Sequence, residues 1–467
     1  EDILNEQFNF DGFIVTDWQN ISHLIHDQHV VEDDKMASRL ALESGNDMMM
    51  NAPEFFEAVT ELVRSGEVSE KAIDEAVERI LNVKMRFGLF ADPFKHANAS
   101  YLGCEDHLRL NKEIARESVV LLKNNGILPL RKKKNILVVG PSADDIRCNY
   151  GDWTYFSHPT FDYETTALRP YTTLLEGVRE LGERFGSTVK YVKGCEIDGE
   201  IVGGIADAVE QAQKADIILF ACGDNILLAS EGKDRADMRL PKAQRDLFQA
   251  LRTVNKPIVT VLICTKPLCI PEVDEFGSAV LTNFNGGMFG GLALAEVIFG
   301  EVDPRGRLPI SFPRHIGQQP CYYNQLPGWH CRSYVDMPES PLYSFGHGLT
   351  FTSFDYSESE FDTETLTLRL KVKNVGDRDG TETVQVYMRD LVSSVMTPVK
   401  RLIAFRKLRL KAGESKEVVF GFSARDFSFV NAQEKRVVES GEFDIMIGAN
   451  SEKCLRVRLR FREGDDL

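Results

Sequence analysis

Two stretches of the 467-residue chain place carboxylates where nucleophilic or acid–base chemistry needs them. The first is GFIVTDWQ, residues 12–19, an apolar, β-branched run that ends in Asp17 with Trp18 beside it. A carboxylate in the middle of a buried strand is costly, so a strand end open to a cleft is its reasonable place. There Asp17 offers a nucleophile or ligand group, and the Trp18 indole offers a flat apolar face on which a sugar can stack. A helix cap or a buried ion pair is the plainer alternative. The second stretch is GDNILLASEGKDRADMRLPKAQ, residues 223–244, a polar loop between an apolar strand and a helix that begins near Pro241. Glu231, Asp234 and Arg235 then stand over the sheet edge at which ligands gather, unless the loop is only an exposed acidic connector. Glycoside hydrolysis requires two carboxyl groups, one as nucleophile or base and one as acid, about 5–5.5 Å apart in a retaining enzyme.

The elements that must position these groups fall into three regions. Residues 1–92 read as two β/α units: FIVTDW and NDMMM as short strands, DKMASRLALESG as a helix, then two amphipathic helices. Phe55, Val59, Leu62 and Val63 share a face of the first of these, and Ile73, Val77, Ile80, Leu81 and Lys84 recur along the second. A closed barrel needs about eight such units, so the region is expected to be the C-terminal part of a TIM-type barrel with uncovered apolar edges. A linker over 93–110 leads to an α/β domain spanning 111–330. Its expected strands are NILVVG, VKYVKG, ADIILFACG, PIVTVLIC and SAVLTNF, with helices over 172–186, 205–215, 241–254 and 290–300. Continuous apolar strands alternating with helices imply a mostly parallel sheet covered on both faces. A second linker covers 331–360. From about 361 the period changes to two, as in Leu366, Leu368, Leu370 and Val372, and the pattern to 467 reads as a β-sandwich.

Composition excludes several partners. With 71 acidic against 55 basic residues the formal charge is −16, which repels nucleic acid and anionic membranes, so a neutral or cationic small molecule is the expected partner. No stretch approaches the roughly 18–20 apolar residues of a membrane span. The nine cysteines are scattered without CxxC pairs, which argues for reduced thiols and favours a reducing, cytoplasmic setting, with a periplasmic or secreted one as the alternative if a leader was removed. NFNGGMFGG, residues 283–291, lacks the Lys-Ser/Thr ending of a phosphate-binding loop. The basic run Arg131 to Lys134 reads as a solvated strand entry, and His347 as structural.

FNFDGFIVTDWQ, ALESGNDMMM and SGEVSEKAIDEAVERILNVKMRFGLF closely resemble the barrel end of family 3 glycoside hydrolases, in which the aspartate of the Asp-Trp pair is the nucleophile. ARESVVLLKNNGILPL, EGKDRADMRLPKAQRDL, VIFGEVDPRGRLPISFP and PLYSFGHGLTFTSFDYS resemble the family's middle domain and its junction with a fibronectin type III-like domain. PCYYNQLPG, ahead of YVDMPESPLYSFGHGLTF, is most similar to the multidomain β-glucosidases. The resemblance implies a retaining, exo-acting β-glucosidase that needs no cofactor or metal. Asp17 attacks the anomeric carbon and Glu231 serves as general acid/base, with Asp234 in reserve. Trp18 and Arg235 contact substrate or support the acid, and the partners are β-linked glucosides or oligosaccharides. β-Xylosidase is the nearest rival activity, and a noncatalytic carbohydrate-binding or assembly role the alternative of a different class. A complete member carries about six further β/α units whose Lys, His, Arg and Asp groups hold the sugar. The chain alone is therefore expected to be inactive or nearly so, and to associate with an N-terminal barrel segment or with a second copy.

Overall fold

The computed structural model describes residues 2–94, 98–154, 171–199, 204–328 and 334–462. It comprises two compact units, Glu1–Tyr101 and Leu102–Leu467.

In the first unit four helices, α1 (Asn20–His26), α2 (Asp34–Glu43), α3 (Glu54–Ser65) and α4 (Glu70–Arg86), surround two extended segments. Asp33 caps α2 and Ser69 caps α4 through side-chain bonds to the amides of Met36 and Ala72. The expected strands are reduced to one parallel bridge, Val15 with Met48, and a few bonds around it, including Thr16 N–H to Met48 O at 2.9 Å. Two lone segments have no further neighbour with which to extend a ladder, so regular strand geometry is not held. A small core gathers Ile21, Ala37 and Ala41, while on α4 only Ala76 is buried. Val77, Leu81 and Met85 on that helix are exposed, so the apolar stripe the sequence predicts is present but uncovered.

The second unit opens with α5 (Glu105–Ser118), which begins inside the expected linker, and then builds a six-stranded sheet. Its strands are β1 (Val120–Asn124), β2 (Asn135–Val139), β3 (Thr188–Val192), β4 (Ile217–Gly223), β5 (Ile258–Ile263) and β6 (Ala279–Thr282), in the order β1-β6-β5-β4-β2-β3. All pairs are parallel except edge strand β1, which runs antiparallel to β6. Alternate residues enter two separate cores: Ile136 and Val138 pack with α6 (Leu174–Arg184), and Leu137 and Val139 pack with α7 (Gly204–Lys214) and α8 (Lys242–Arg252). Helix α9 (Pro271–Phe276) precedes β6, and α10 (Gly290–Phe299), buried along its length, lies against α6. Gly291 permits that approach, since a Cβ there would stand 2.3 Å from the carbonyl carbon of Thr173. The glycine-rich turn before α10 thus serves helix packing.

The sandwich follows in the same unit. Its sheets are β10-β9-β14-β15 and β11-β8-β7, all antiparallel, built from β7 (Phe354–Asp362), β8 (Thr367–Asn374), β9 (Gly380–Asp390), β10 (Arg401–Leu410), β11 (Ser415–Gly421), β14 (Gly441–Gly448) and β15 (Cys454–Phe461). A short hairpin, β12 (Phe429–Val430) with β13 (Arg436–Val437), lies outside both sheets. Leu368, Leu370, Val384, Val386, Phe443 and Ile445 fill the space between the sheets. The first strand starts at Phe354, ahead of the expected 361, because its pleat is broken. Ladder register shifts between Ser357 and Glu360, and Glu358 has φ 51°, which hides the period of two. Part of the second expected linker, including Cys331, lies outside the described residues; the other eight cysteines are free thiols.

Candidate active site

Asp17 follows the bridged segment of the first unit and is exposed. Its Oδ1 accepts the Trp18 amide at 2.6 Å, and Gln19 N–H to Met50 O at 3.1 Å ties the turn to the neighbouring segment. The Trp18 ring is 62% exposed. Beneath this turn Asp47, whose side chain is buried, accepts the Ile14 amide at 2.8 Å and pairs with Arg79 at 2.8 Å. The buried ion pair that the sequence left open for Asp17 is therefore made by Asp47.

In the second unit, β2 leads to β3 on one side while the chain returns to β4 on the other, so the carboxyl ends of β2 and β4 form a topological switch point. The loop after β4 carries Glu231, and its base is rigid. Buried Gln244 bonds both the amide and the carbonyl of Gly223, at 2.8 and 3.0 Å. Asp224, fully buried, receives the Thr265 amide at 2.7 Å and the Lys266 ammonium at 2.9 Å. The loop after β2 carries Asp152 and Trp153, residues to which the sequence reading assigned no role. Asp152 Oδ2 accepts the Glu231 amide at 2.7 Å, and Trp153 Nε1 donates to Glu231 Oε2 at 2.9 Å. Asp152 Oδ1 takes the Trp153 amide at 2.9 Å, repeating the Asp17–Trp18 turn. Trp153 holds φ 56°, a left-handed backbone uncommon for a bulky side chain, so the turn that presents its ring is held at an energetic cost. The chain has three tryptophans, and two of them follow an aspartate. That doublet is the signal from which Trp153 was readable.

Asp234 is exposed and makes no hydrogen bond among the described residues. Arg235 turns away from it, with Nη2 donating to Arg239 O at 2.9 Å, and Nη1 is buried without a partner. Asp234 and Arg235 therefore make no ion pair with each other. His347 is half-buried, its ring stacked on Tyr343 and its Nε2 2.8 Å from Leu122 O. Burial holds its pKa below the ordinary histidine value. Cys148, Cys222 and Cys264 are fully buried, and burial pushes their thiols up, away from reactive thiolates.

An exposed carboxylate gripped by an indole at a sheet's switch point, in a chain that also carries a strand-end Asp-Trp turn and a sandwich, has the parts of a multidomain carbohydrate hydrolase. The chain matches the Glycosyl hydrolase family 3 N terminal domain over residues 1–83, the family's C-terminal domain over 119–351 and a Fibronectin type III-like domain over 382–451. It belongs to glycoside hydrolase family 3. Similar proteins include a periplasmic β-glucosidase of Salmonella typhimurium and a β-xylosidase of Formosa agariphila, each 34% identical over 97% of this chain. The chain spans 63% and 64% of their lengths. Among solved structures, a β-glucosidase involved in saponin metabolism from intestinal bacteria matches at TM-score 0.91 and 34% identity, covering 99% of this chain and 68% of that one. A Listeria innocua β-glucosidase with isofagomine matches at 0.88 and 30%, covering 98% and 65%. No helix among the described residues is long and apolar enough to cross a membrane.

Proposed function

We propose that this chain is the nucleophile- and acid-bearing part of a retaining β-glycosidase that releases terminal β-D-glucose. The observation that carries the reading is the Asp152–Trp153–Glu231 contact set, which aims one positioned carboxylate from the ligand edge of the α/β sheet. Asp17 attacks the anomeric carbon and the C–O bond to the leaving group breaks, giving a glycosyl ester. Glu231 gives its proton to the departing oxygen. The Glu231 carboxylate then takes a proton from water as that water displaces Asp17, and the cycle closes. Trp18 and Trp153 supply stacking faces. The relatives named β-glucosidases support glucose as the released sugar, and the Formosa relative makes β-xyloside the second substrate to test.

The same reading makes activity depend on barrel strands beyond the two bridged segments here. The uncovered stripe of Val77, Leu81 and Met85, with Val15 and Met48 also exposed, supports an additional barrel portion packing on this unit. Holding the sugar in near-attack geometry requires groups from that portion. The test is hydrolysis of p-nitrophenyl β-D-glucoside and β-D-xyloside by the chain alone and mixed with a separately expressed N-terminal barrel segment of a family member. The expected result is activity only in the mixture, faster with the glucoside and lost in Asp17→Ala and Glu231→Ala. Silence from an associated, folded mixture assigns the chain to the noncatalytic alternative.

A further inference from the structure

A cavity of about 300 Å³ opens where the α/β domain meets the sandwich, inside the second unit. None of its lining residues belongs to the loops that carry Trp153 or Glu231. The volume sits at the small end of ligand pockets, which run from about 300 to 1,000 Å³, and suits one ring-sized occupant.

The walls combine aromatic rings with polar groups that have nothing to bind. Tyr323 is locked, stacked on Phe345 at 4.0 Å with Tyr387 edge-on at 5.9 Å, and its hydroxyl accepts the Leu402 amide at 3.2 Å. Tyr322, beside it on the wall, is 63% exposed. Ser451 is 2% exposed, yet its Oγ has no hydrogen-bond partner. That unsatisfied hydroxyl lies just under the wall and adds to the polar character of the lining. The Gln325 amide, the Ser344 hydroxyl and the Glu339 carboxylate also line the cavity and make no side-chain hydrogen bond among the described residues. The set mixes donors and acceptors. The Lys400 ammonium is already held by Ser451 O at 2.6 Å and Glu452 at 3.2 Å, so among the described residues the cavity offers no free cation for an anion.

A flat ring with one apolar face and a rim of hydroxyls satisfies both kinds of wall: the face lies on tyrosine, and the hydroxyls meet the amide, hydroxyl and carboxylate groups. We propose that this cavity is a second carbohydrate site, which holds a glucose unit of a neutral β-linked oligosaccharide away from the hydrolytic carboxylates. The choice of a β-linked glucose chain rests on the hydrolase reading above; the site itself rests on the cavity.

The test is calorimetric titration of the full chain with cellotriose, in a Trp18→Ala, Trp153→Ala background that removes stacking at the candidate active site. The expected result is saturable binding that weakens about tenfold on Tyr322→Ala and at least about threefold on Glu339→Gln, with unchanged thermal unfolding because both side chains are exposed. No binding in that background, or binding that neither substitution moves, overturns the proposal. No hydrolysis is read, so failure here leaves the glycosidase reading standing, and an inactive Asp17 leaves this binding intact.

Discussion

Helix α10 is apolar except for one charged residue, Glu296, and that residue sets the most quantitative expectation of the structure. Glu296 is 7% exposed and fully occupied by α5: Arg116 Nε donates to Oε2 and Nη2 to Oε1, both at 2.7 Å, in a bidentate fork. Replacing Arg116 by Met keeps an unbranched apolar stem, removes the guanidinium and strands a buried carboxylate. Breaking a buried pair from one side costs about 3–5 kcal/mol. Two features reduce that here: Arg116 is 28% exposed, and the Lys112 ammonium remains 3.6 Å from Oε1. The expected loss is therefore about 2–4 kcal/mol. The double variant Arg116→Met, Glu296→Leu removes both polar groups and should recover most of it. Because the chain has several domains, a single global transition is the wrong readout. Hydrogen exchange of the 290–299 peptide in increasing urea reports α10 directly. Exchange in Arg116→Met that matches the parent within about 0.5 kcal/mol refutes the argument, as does a double variant weaker than the single.

Other expectations follow from the same geometry. Burial pushes the Asp390 carboxyl up to about 6 from 3.8; its Oδ2 has no partner while Oδ1 takes the Val392 amide at 3.3 Å. Between those two pH values the folded chain holds a proton that the unfolded chain has released, so this contribution to stability is full below pH ~4 and lost as pH rises through ~6. Asp390→Asn should therefore stabilise the sandwich at pH 7.5 by about 1–2 kcal/mol, discounted for partial solvent access, and by nothing at pH 3.5; urea midpoints at both pH values decide. Trp153→Phe keeps an aromatic ring but removes the 2.9 Å indole donor to Glu231. In the reconstituted enzyme it should lower kcat about three- to tenfold on an alkyl glucoside and less on a dinitrophenyl glucoside, whose leaving group needs little protonation. Equal losses on both substrates contradict a role in positioning the acid.

The parallel sheet was legible because strands buried on both faces are continuous apolar runs: β2, β4, β5 and β6 each fall inside the expected segment, and the half-exposed edge strand β3 begins one residue ahead of its own. Edge strand β1 was not, since α5 ends at Ser118 and the strand begins at Val120 with no turn residue between them. The apolar run there continues the helix without punctuation. FIVTDW failed as a strand for a different reason. Its residues suit a strand, but strand geometry depends on neighbours that a local pattern does not contain. At the site, Glu231 was readable from its place after β4. Its contact with Trp153 spans 78 residues and arises only when two loops meet at the switch point, which no local periodicity encodes.

The central claim is that Asp17 is the nucleophile, and covalent trapping tests it most directly. The chain mixed with its barrel complement is treated with a 2-deoxy-2-fluoro-β-glucosyl fluoride, digested and mapped by mass spectrometry. The account predicts one added fluoroglucosyl group on the peptide containing Asp17, absent from Asp17→Ala and present in Trp153→Phe. A label on Glu231, Asp234 or any other carboxylate, or no label from a mixture that hydrolyses β-glucosides, contradicts it.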